Sequence, residues 1–373
     1  MSSVAILRCE SYEQAQVDAT VAELCTLASM PNVAGKRVLL KPNILSDSKE
    51  ELAITTHPAV LRAVIRHLKN QGAQSIFVGD SPGLHTPAFK PKSSGLWRVI
   101  EGEEVQWVDF TDHPIPSRIP YTRMRKLPLA RILSEVDLLF TLPKFKTHQL
   151  MYATGAIKNL FGLVPNLFKS SMHLKYPARE RFATMLVGVA TAAKPSFALM
   201  DGIIAHEGPG PANGSPTPLG LLLASCDSVA VDWAQATIMG YDPQDIPIVS
   251  EAIRRGLGSA PTSYPALSAE ELIKDSFQRI TLEKRTSFFR SLILPFLAGP
   301  FVRWQVKRQR PAPEFLVEPC ILCRKCIDIC PVDALRMENR QIIISEKLCI
   351  RCYCCHEVCP ADAIMIPEQR SKR

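Results

Sequence analysis

The chain has 373 residues, 46% hydrophobic and 21% charged, which excludes wholesale disorder and suits two domains, one with a substantial core. Its formal net charge of +8 is concentrated: residues 279–312 hold eight basic side chains and one acidic, residues 313–373 hold nine of each sign, and residues 1–278 carry about +1. The basicity therefore marks a connecting segment and excludes a nucleic-acid-binding face on either flanking part.

The opening residues MSSVAILRCESYEQ have no basic region followed by an apolar stretch, and no run of about 18 apolar residues occurs, so neither a signal peptide nor a membrane-spanning helix is expected. Nine of the 12 cysteines fall between Cys320 and Cys359. That distribution argues against a secreted disulfide scaffold and points to the reducing cytoplasm.

Val4 to Leu7 reads as a strand, followed by a helix over Tyr12 to Met30, where Val17, Val21, Leu24, Leu27 and Ala28 recur at helical spacing. Arg37 to Lys41 is a second strand, ending at Pro42 and Asn43. Thr56, His57 and Pro58 start a helix whose apolar face is Val60, Leu61, Val64, Ile65 and Leu68. Ser75 to Val78 is a third strand, closed by Gly79 to Gly83. The loop-rich stretch from Leu84 to Arg125 contains a strand at Val105 to Phe110. A short helix at Ala130 to Glu135, a strand at Val136 to Thr141 and a helix at Arg181 to Ala193 come next. Strands at Phe197 to Met200 and Leu219 to Ala224 precede a helix at Val229 to Met239, stopped by Gly240. Strands alternating with helices predict an α/β fold with a mostly parallel sheet and flanking helices.

Ligands bind such sheets beyond the carboxyl ends of the strands. Those positions carry Lys41 and Asn43, then Asp80 and Ser81, then Lys144, Lys146, Thr147 and His148, then Asp201, His206 and Glu207. The segment Thr154 to Gly162 adds Lys158 and Asn159, with Lys169 and His173 beyond it. No dinucleotide G-x-G-x-x-G follows a strand and no phosphate loop occurs. Gly208 to Gly214, broken by two prolines, reads as a mobile loop and not as a nucleotide cradle.

The C-terminal stretch carries two copies of C-x2-C-x2-C-x3-C-P: Cys320, Cys323, Cys326 and Cys330, then Cys349, Cys352, Cys355 and Cys359. This is the spacing by which bacterial-type ferredoxins hold [4Fe-4S] clusters, each tight loop giving three thiolates and the other copy the fourth. One cluster is expected on Cys320, Cys323, Cys326 and Cys359, the other on Cys349, Cys352, Cys355 and Cys330. Zinc also takes C-x2-C pairs, but leaves the third cysteine, the x3 spacing and the prolines without a purpose. The copies repeat at 29 residues. Cys354 is read as a non-ligand and His356 as a surface residue.

Leu40 to Asn43 (LKPN), Gly79 to Pro82 (GDSP), Leu142 to His148 (LPKFKTH), Thr154 to Gly162 (TGAIKNLFG), Asp201 with Gly202, Glu207 to Pro211 (EGPGP) and Asp227 to Asp232 (DSVAVD) occur in one order. Together they resemble the domain-of-unknown-function family 362, many of whose members carry a C-terminal double-cluster ferredoxin module. The resemblance implies an α/β domain coupled to clusters, and the charge distribution and cysteine repeat divide the chain into that domain over residues 1–278, a basic, apolar connector over 279–312 and a small α+β two-cluster ferredoxin-like domain over 313–373.

Within the connector, Ser287 to Val306 is the most apolar part of the chain, flanked by Lys284, Arg285, Lys307, Arg308 and Arg310. It suits packing against either domain, or lying on an anionic membrane, although Pro295 and Pro300 break any single helix there.

Three functional readings follow. In the first, two [4Fe-4S] clusters relay electrons between a donor or acceptor protein and an anionic small molecule at the strand ends. Lys144, Lys146, Lys158 and Lys169 hold the anion, His148 and His173 move protons or bind a metal, and Asp80, Asp201 and Glu207 serve as acid, base or metal ligands, with Lys41, Asn43 and Asn159 beside them. In the second, the protein is a non-enzymatic carrier or assembly factor whose strand-end lysines dock an acidic partner. The third adds a metal of the α/β domain's own, on His148, His173 and nearby carboxylates.

Overall fold

The computed structural model describes residues 2–84, 89–124, 126–166, 168–282 and 310–367. The stretch 287–306 and most of its basic flanks lie outside the described residues, so the expectations placed on them stay with the sequence.

One mixed sheet runs through the larger part in the order β1 (Ala5–Arg8), β11 (Ser215–Ser225), β10 (Phe197–Glu207), β7 (Leu138–Leu142), β2 (Arg37–Pro42), β3 (Ser75–Asp80) and β4 (Gln106–Asp109). The pairs from β10 to β4 are parallel, and β11 is antiparallel to both of its neighbours. The middle of β2, Val38 to Leu40, is continuously apolar because both faces of the sheet are covered. Val38 and Leu40 join the core packed by α1 (Gln14–Leu27), α2 (Pro58–Asn70) and α3 (Leu96–Gly102). Leu39 joins the opposite core, with α4 (Ala156–Asn159), α6 (Arg179–Ala193), α7 (Ser228–Ile238) and α8 (Pro247–Arg254). The architecture is an α/β/α sandwich, as the alternation of strands and helices predicts.

Three features depart from the expected elements. Strand β10 extends seven residues past Met200, to Glu207. LPKFKTH is no strand-end loop: after Pro143 the chain continues as β8 (Lys144–His148), which pairs in parallel with β10 and antiparallel with β9 (Tyr152–Thr154). Pro143 lacks an N–H, but its carbonyl accepts Asp201 N at 2.9 Å, so the ladder crosses it. Arg131–Ser134 is a 3-10 turn in place of the short helix, and the loop-rich stretch folds a hairpin, β5 (Ile115–Arg118) with β6 (Lys126–Leu129).

The cysteine-rich part pairs β12 (Glu314–Phe315) with β15 (Ile364–Met365) and β13 (Leu335–Glu338) with β14 (Gln341–Ile344), around α9 (Lys325–Asp328) and α10 (Cys354–Glu357). Among the described residues no helix is long and apolar enough to cross a membrane.

Candidate functional site

The K-F-K-T-H run of β8 alternates along the strand, which sends Phe145 into the apolar core, edge-on to Phe277 at 5.8 Å, and Lys144, Lys146 and His148 to the other side. Lys144 Nζ lies 2.7 Å from Asp201 Oδ2 and donates to Tyr12 OH at 2.7 Å. Asp201 also accepts from Tyr12 OH at 2.8 Å and from His57 N at 2.9 Å, and Tyr12 stacks on His57 at 3.5 Å. Lys144 and Asp201 are buried and satisfy one another, and with Tyr12 and His57 they tie β8 and β10 to the segments that lead into α1 and α2. Lys146 is also buried. Its ammonium donates to Ile54 O at 2.7 Å, and burial, aided by Lys158, pushes its pKa well below the ordinary value. Glu207 Oε2 accepts Gln278 N at 3.0 Å. Lysines buried in this way cannot form an exposed docking face for an acidic partner.

Beside them, Lys41 Nζ lies 2.8 Å from Asp80 Oδ2, again fully buried. Asn159 braces that pair: its Nδ2 donates to Lys41 O at 3.0 Å and Thr141 Oγ1 at 2.9 Å, while its Oδ1 accepts Asn43 Nδ2 at 3.0 Å. This chain of donors fixes the Asn43 amide and leaves its buried Oδ1 without a partner among the described residues. Lys169 donates to Val164 O at 2.7 Å, Ser81 Oγ at 3.2 Å and Ser81 O. Burial pushes it down to about 7, with Asp80 opposing.

These residues floor a cavity of about 110 Å³. At about 10–15 Å³ for each water-sized occupant, it suits a ligand of roughly a dozen non-hydrogen atoms or fewer. Thr154, Lys158, Lys169 and His173 line it from the α/β part, and Ile329, Cys354, Glu357 and Val358 from the cysteine-rich part. Lys158, whose pKa burial lowers while Glu357 opposes, forms no ion pair or hydrogen bond among the described residues. The buried Thr154 hydroxyl has no hydrogen-bond partner among the described residues. His173 stacks on Phe182 at 4.3 Å, and burial pushes it down to about 3.

Glu357 reaches across from α10. Its Oε1 is 3.0 Å from His148 Nε2, though not aligned for a linear hydrogen bond. His148 Nδ1 accepts Leu150 N at 3.0 Å and Met151 N at 3.2 Å, which places the imidazole proton on Nε2, toward the carboxylate. Burial pushes His148 down to about 4. Burial would raise Glu357, but His148 and Lys158 hold it well below the usual carboxylate range. A neutral imidazole thus faces an ionised carboxylate. Among the described residues no group of three or more His, Cys, Asp or Glu side chains is placed to hold a single metal ion, so the third reading finds no ligand set.

The cysteines fall into the two crossed sets expected. Cys320, Cys323, Cys326 and Cys359 line one cavity, and Cys330, Cys349, Cys352 and Cys355 line another. Positive φ at Leu322, Arg324 and Asp333 repeats 29 residues on at Arg351, Tyr353 and Asp362. Ala334 N donates to Cys330 Sγ and Ala363 N to Cys359 Sγ, both at 3.3 Å. Four thiolates about each cavity with backbone N–H groups turned to sulfur fit a [4Fe-4S] group, which needs one thiolate per iron and charge-stabilising donors. Cys354, outside both sets, lines the second cysteine cavity and the strand-end cavity alike. His356 is buried, which corrects its reading as a surface residue. The 208–214 loop is packed in place: a Cβ on Gly210 would sit 2.4 Å from Thr147 O, and Asn213 Nδ2 donates to Ile364 O at 3.4 Å.

Tyr12, Thr154, Asp232 and Glu357 were not among the site residues read from the sequence. Asp232, last in the DSVAVD motif, accepts Ile157 N at 3.1 Å and Ala156 N at the start of α4. Its place in a motif was the available signal. Nothing local marks Glu357, because its partners lie some 200 residues away in the chain.

Fold and cysteine sets define an iron–sulfur protein with an α/β/α body and a ferredoxin module. The chain belongs to the family described as Domain of unknown function (DUF362), whose model matches residues 38–237, and residues 319–363 match a 4Fe-4S dicluster domain. Thylakoid-associated protein sll1697 of Synechocystis sp. is 33% identical over 284 residues, covering 74% of this chain and 88% of that protein. Two solved structures are similar to part of the chain. The lactate racemase apoprotein of Thermoanaerobacterium thermosaccharolyticum has a TM-score of 0.41 at 14% identity, covering 61% of this chain and 57% of that one. A structural-genomics protein of Thermotoga maritima has a TM-score of 0.36 at 13% identity, covering 56% and 55%. The chain thus spans a little over half the length of each.

Proposed function

We propose that the protein is an oxidoreductase acting on a small anion held in the cavity between the strand ends and α10. The observation that carries this reading is the shared wall: Cys354 lines both that cavity and the second cysteine cavity. [4Fe-4S] groups held by the eight cysteines supply one-electron transfer. The chain's own residues bind and orient. Lys158, without an ion pair, takes the anionic charge, Lys169 adds a second cationic group, and the Thr154 hydroxyl and Asn43 Oδ1 offer a donor and an acceptor to the rest of the ligand. His148, with its proton on Nε2 toward Glu357, holds a proton beside the cavity. Low dielectric at this buried site strengthens the attraction to the anion.

The test is anaerobic. Reduced, iron-loaded protein is mixed with a panel of small anions, and reoxidation is followed by visible absorbance. One class of anion should reoxidise the protein, and Lys158→Ala should slow that reaction at least about tenfold with iron content unchanged. If no anion in the panel reoxidises the protein, the oxidoreductase reading fails.

A further inference from the structure

The two cysteine loops are copies in backbone but not in burial. The second is covered: Ile350 is 5% exposed and Tyr353 3%, and Cys354 and His356 are buried as well. The positions 29 residues earlier are Ile321, Arg324, Lys325 and Ile327. Ile321 is 64% exposed, and Arg324 and Lys325 are exposed too. One copy of this surface has found its protein partner inside the chain, where α10 closes the strand-end cavity. The matching surface of the other copy has no cover among the described residues.

That bare surface has the character of a contact face. Val317, 57% exposed, adjoins the loop, its carbonyl accepting Cys320 N at 3.3 Å. Cys323, a member of the first cysteine set, is itself exposed, and Ile321 lines the first cysteine cavity. Electron transfer weakens steeply with distance, so a redox partner must come close to the ligand shell. Apolar side chains beside an exposed ligand cysteine allow that approach, and a small contact of this kind suits the low end of interface sizes, where redox encounters fall.

We propose that Val317, Ile321, Cys323 and Lys325 form the docking face for a one-electron carrier protein, on the same loop surface by which the second copy packs on the α/β body. The proposal rests on the reading that the iron–sulfur part exchanges electrons. Each encounter moves one electron: the reduced carrier loses it, the iron–sulfur complement of this protein gains it, and no bond forms or breaks.

The experiment uses full-length, iron-loaded protein under anaerobic conditions with two probes, a plant-type [2Fe-2S] ferredoxin and a flavodoxin. Binding is measured by biolayer interferometry, and the second-order rate of reduction by each reduced carrier by stopped-flow absorbance. At least one carrier should bind. Ile321→Asp and Val317→Asp should each weaken that binding and slow reduction about tenfold, while reduction by dithionite keeps its rate. Iron content per chain is checked for both, and Val317→Asp, outside the cysteine loop, decides the matter if Ile321→Asp loads poorly. Failure of both carriers to bind, or unchanged binding and rate in the variants, overturns the docking face. Carrier reduction and anion-driven reoxidation are read as separate reactions of the same protein. An absence of anion-driven reoxidation therefore counts against the cavity reading alone.

Discussion

Lys144 and Lys158 show how lysines of one motif-rich region serve opposite ends. Lys144 is one half of a buried pair with Asp201, and removing it strands a carboxylate out of water. Lys144→Met should cost about 3–5 kcal/mol in urea unfolding, whereas Lys158→Met, which loses no ion pair or hydrogen bond among the described residues and only a longer-range attraction to Glu357, should cost less, about 1–2 kcal/mol. Equal losses would show that the two lysines do not divide in this way. Lys169 brings a pH dependence. Burial pushes its ammonium down to about 7, Asp80 opposes that and Lys41 adds to it. The charge is present below that pH and lost above it, so anion affinity measured by calorimetry should fall as pH rises through about 7. His148 and His173, pushed down to about 4 and 3, stay neutral across this window. Lys169→Arg should flatten the profile. Because the unfolded chain holds this proton more tightly, the same group makes folding more favourable as pH rises from about 7 to its ordinary 10.5.

At the scale of elements, the α4 segment and the ends of β2 and β3 build the cavity floor, while β8 stands outside its lining. Lys144, Lys146 and His148 were legible as a chemical cluster in the sequence, but as a loop. Pro143 and the polar side chains argue against a buried strand, and only the neighbouring β10, accepting them as a ladder, overrides that local signal. Gly162, beyond α4, was legible as part of a motif without a purpose. A Cβ on Gly162 would sit 2.2 Å from Asp80 Oδ1 and 2.6 Å from Lys41 Nζ, and neither group has room to retreat. Gly162→Ala should therefore destabilise the protein by about 1–3 kcal/mol and weaken anion binding with it. Gly102→Ala, at the end of α3, meets nothing within 4 Å and should be neutral in both assays. Parallel denaturation and calorimetry on the two variants check this.

Over the whole molecule, the cavity belongs to neither part alone. The α/β body supplies the cations and the cysteine-rich part supplies Cys354 and Glu357. Removing iron from the intact protein should loosen residues 313–367, whose small core around Cys326, Leu335 and Ile364 depends on the metal. Hydrogen exchange should then quicken in α9 and α10 while β2, β3, β7 and β10 keep their protection, and anion affinity should fall. Anion affinity that survives iron removal would show the wall to be dispensable. The sequence alone determined the iron–sulfur chemistry, since eight cysteines at fixed local spacing need only a tight loop and a duplicated partner to form two ligand sets. It also determined the α/β class, through periodic apolar runs that reflect nearby backbone geometry. Only the tertiary structure decided which of the many strand-end lysines are paired within the core and which has no ion pair or hydrogen bond among the described residues, and that Glu357 faces His148. Burial and ion pairing depend on what packs against a side chain from distant segments, and no local pattern encodes that.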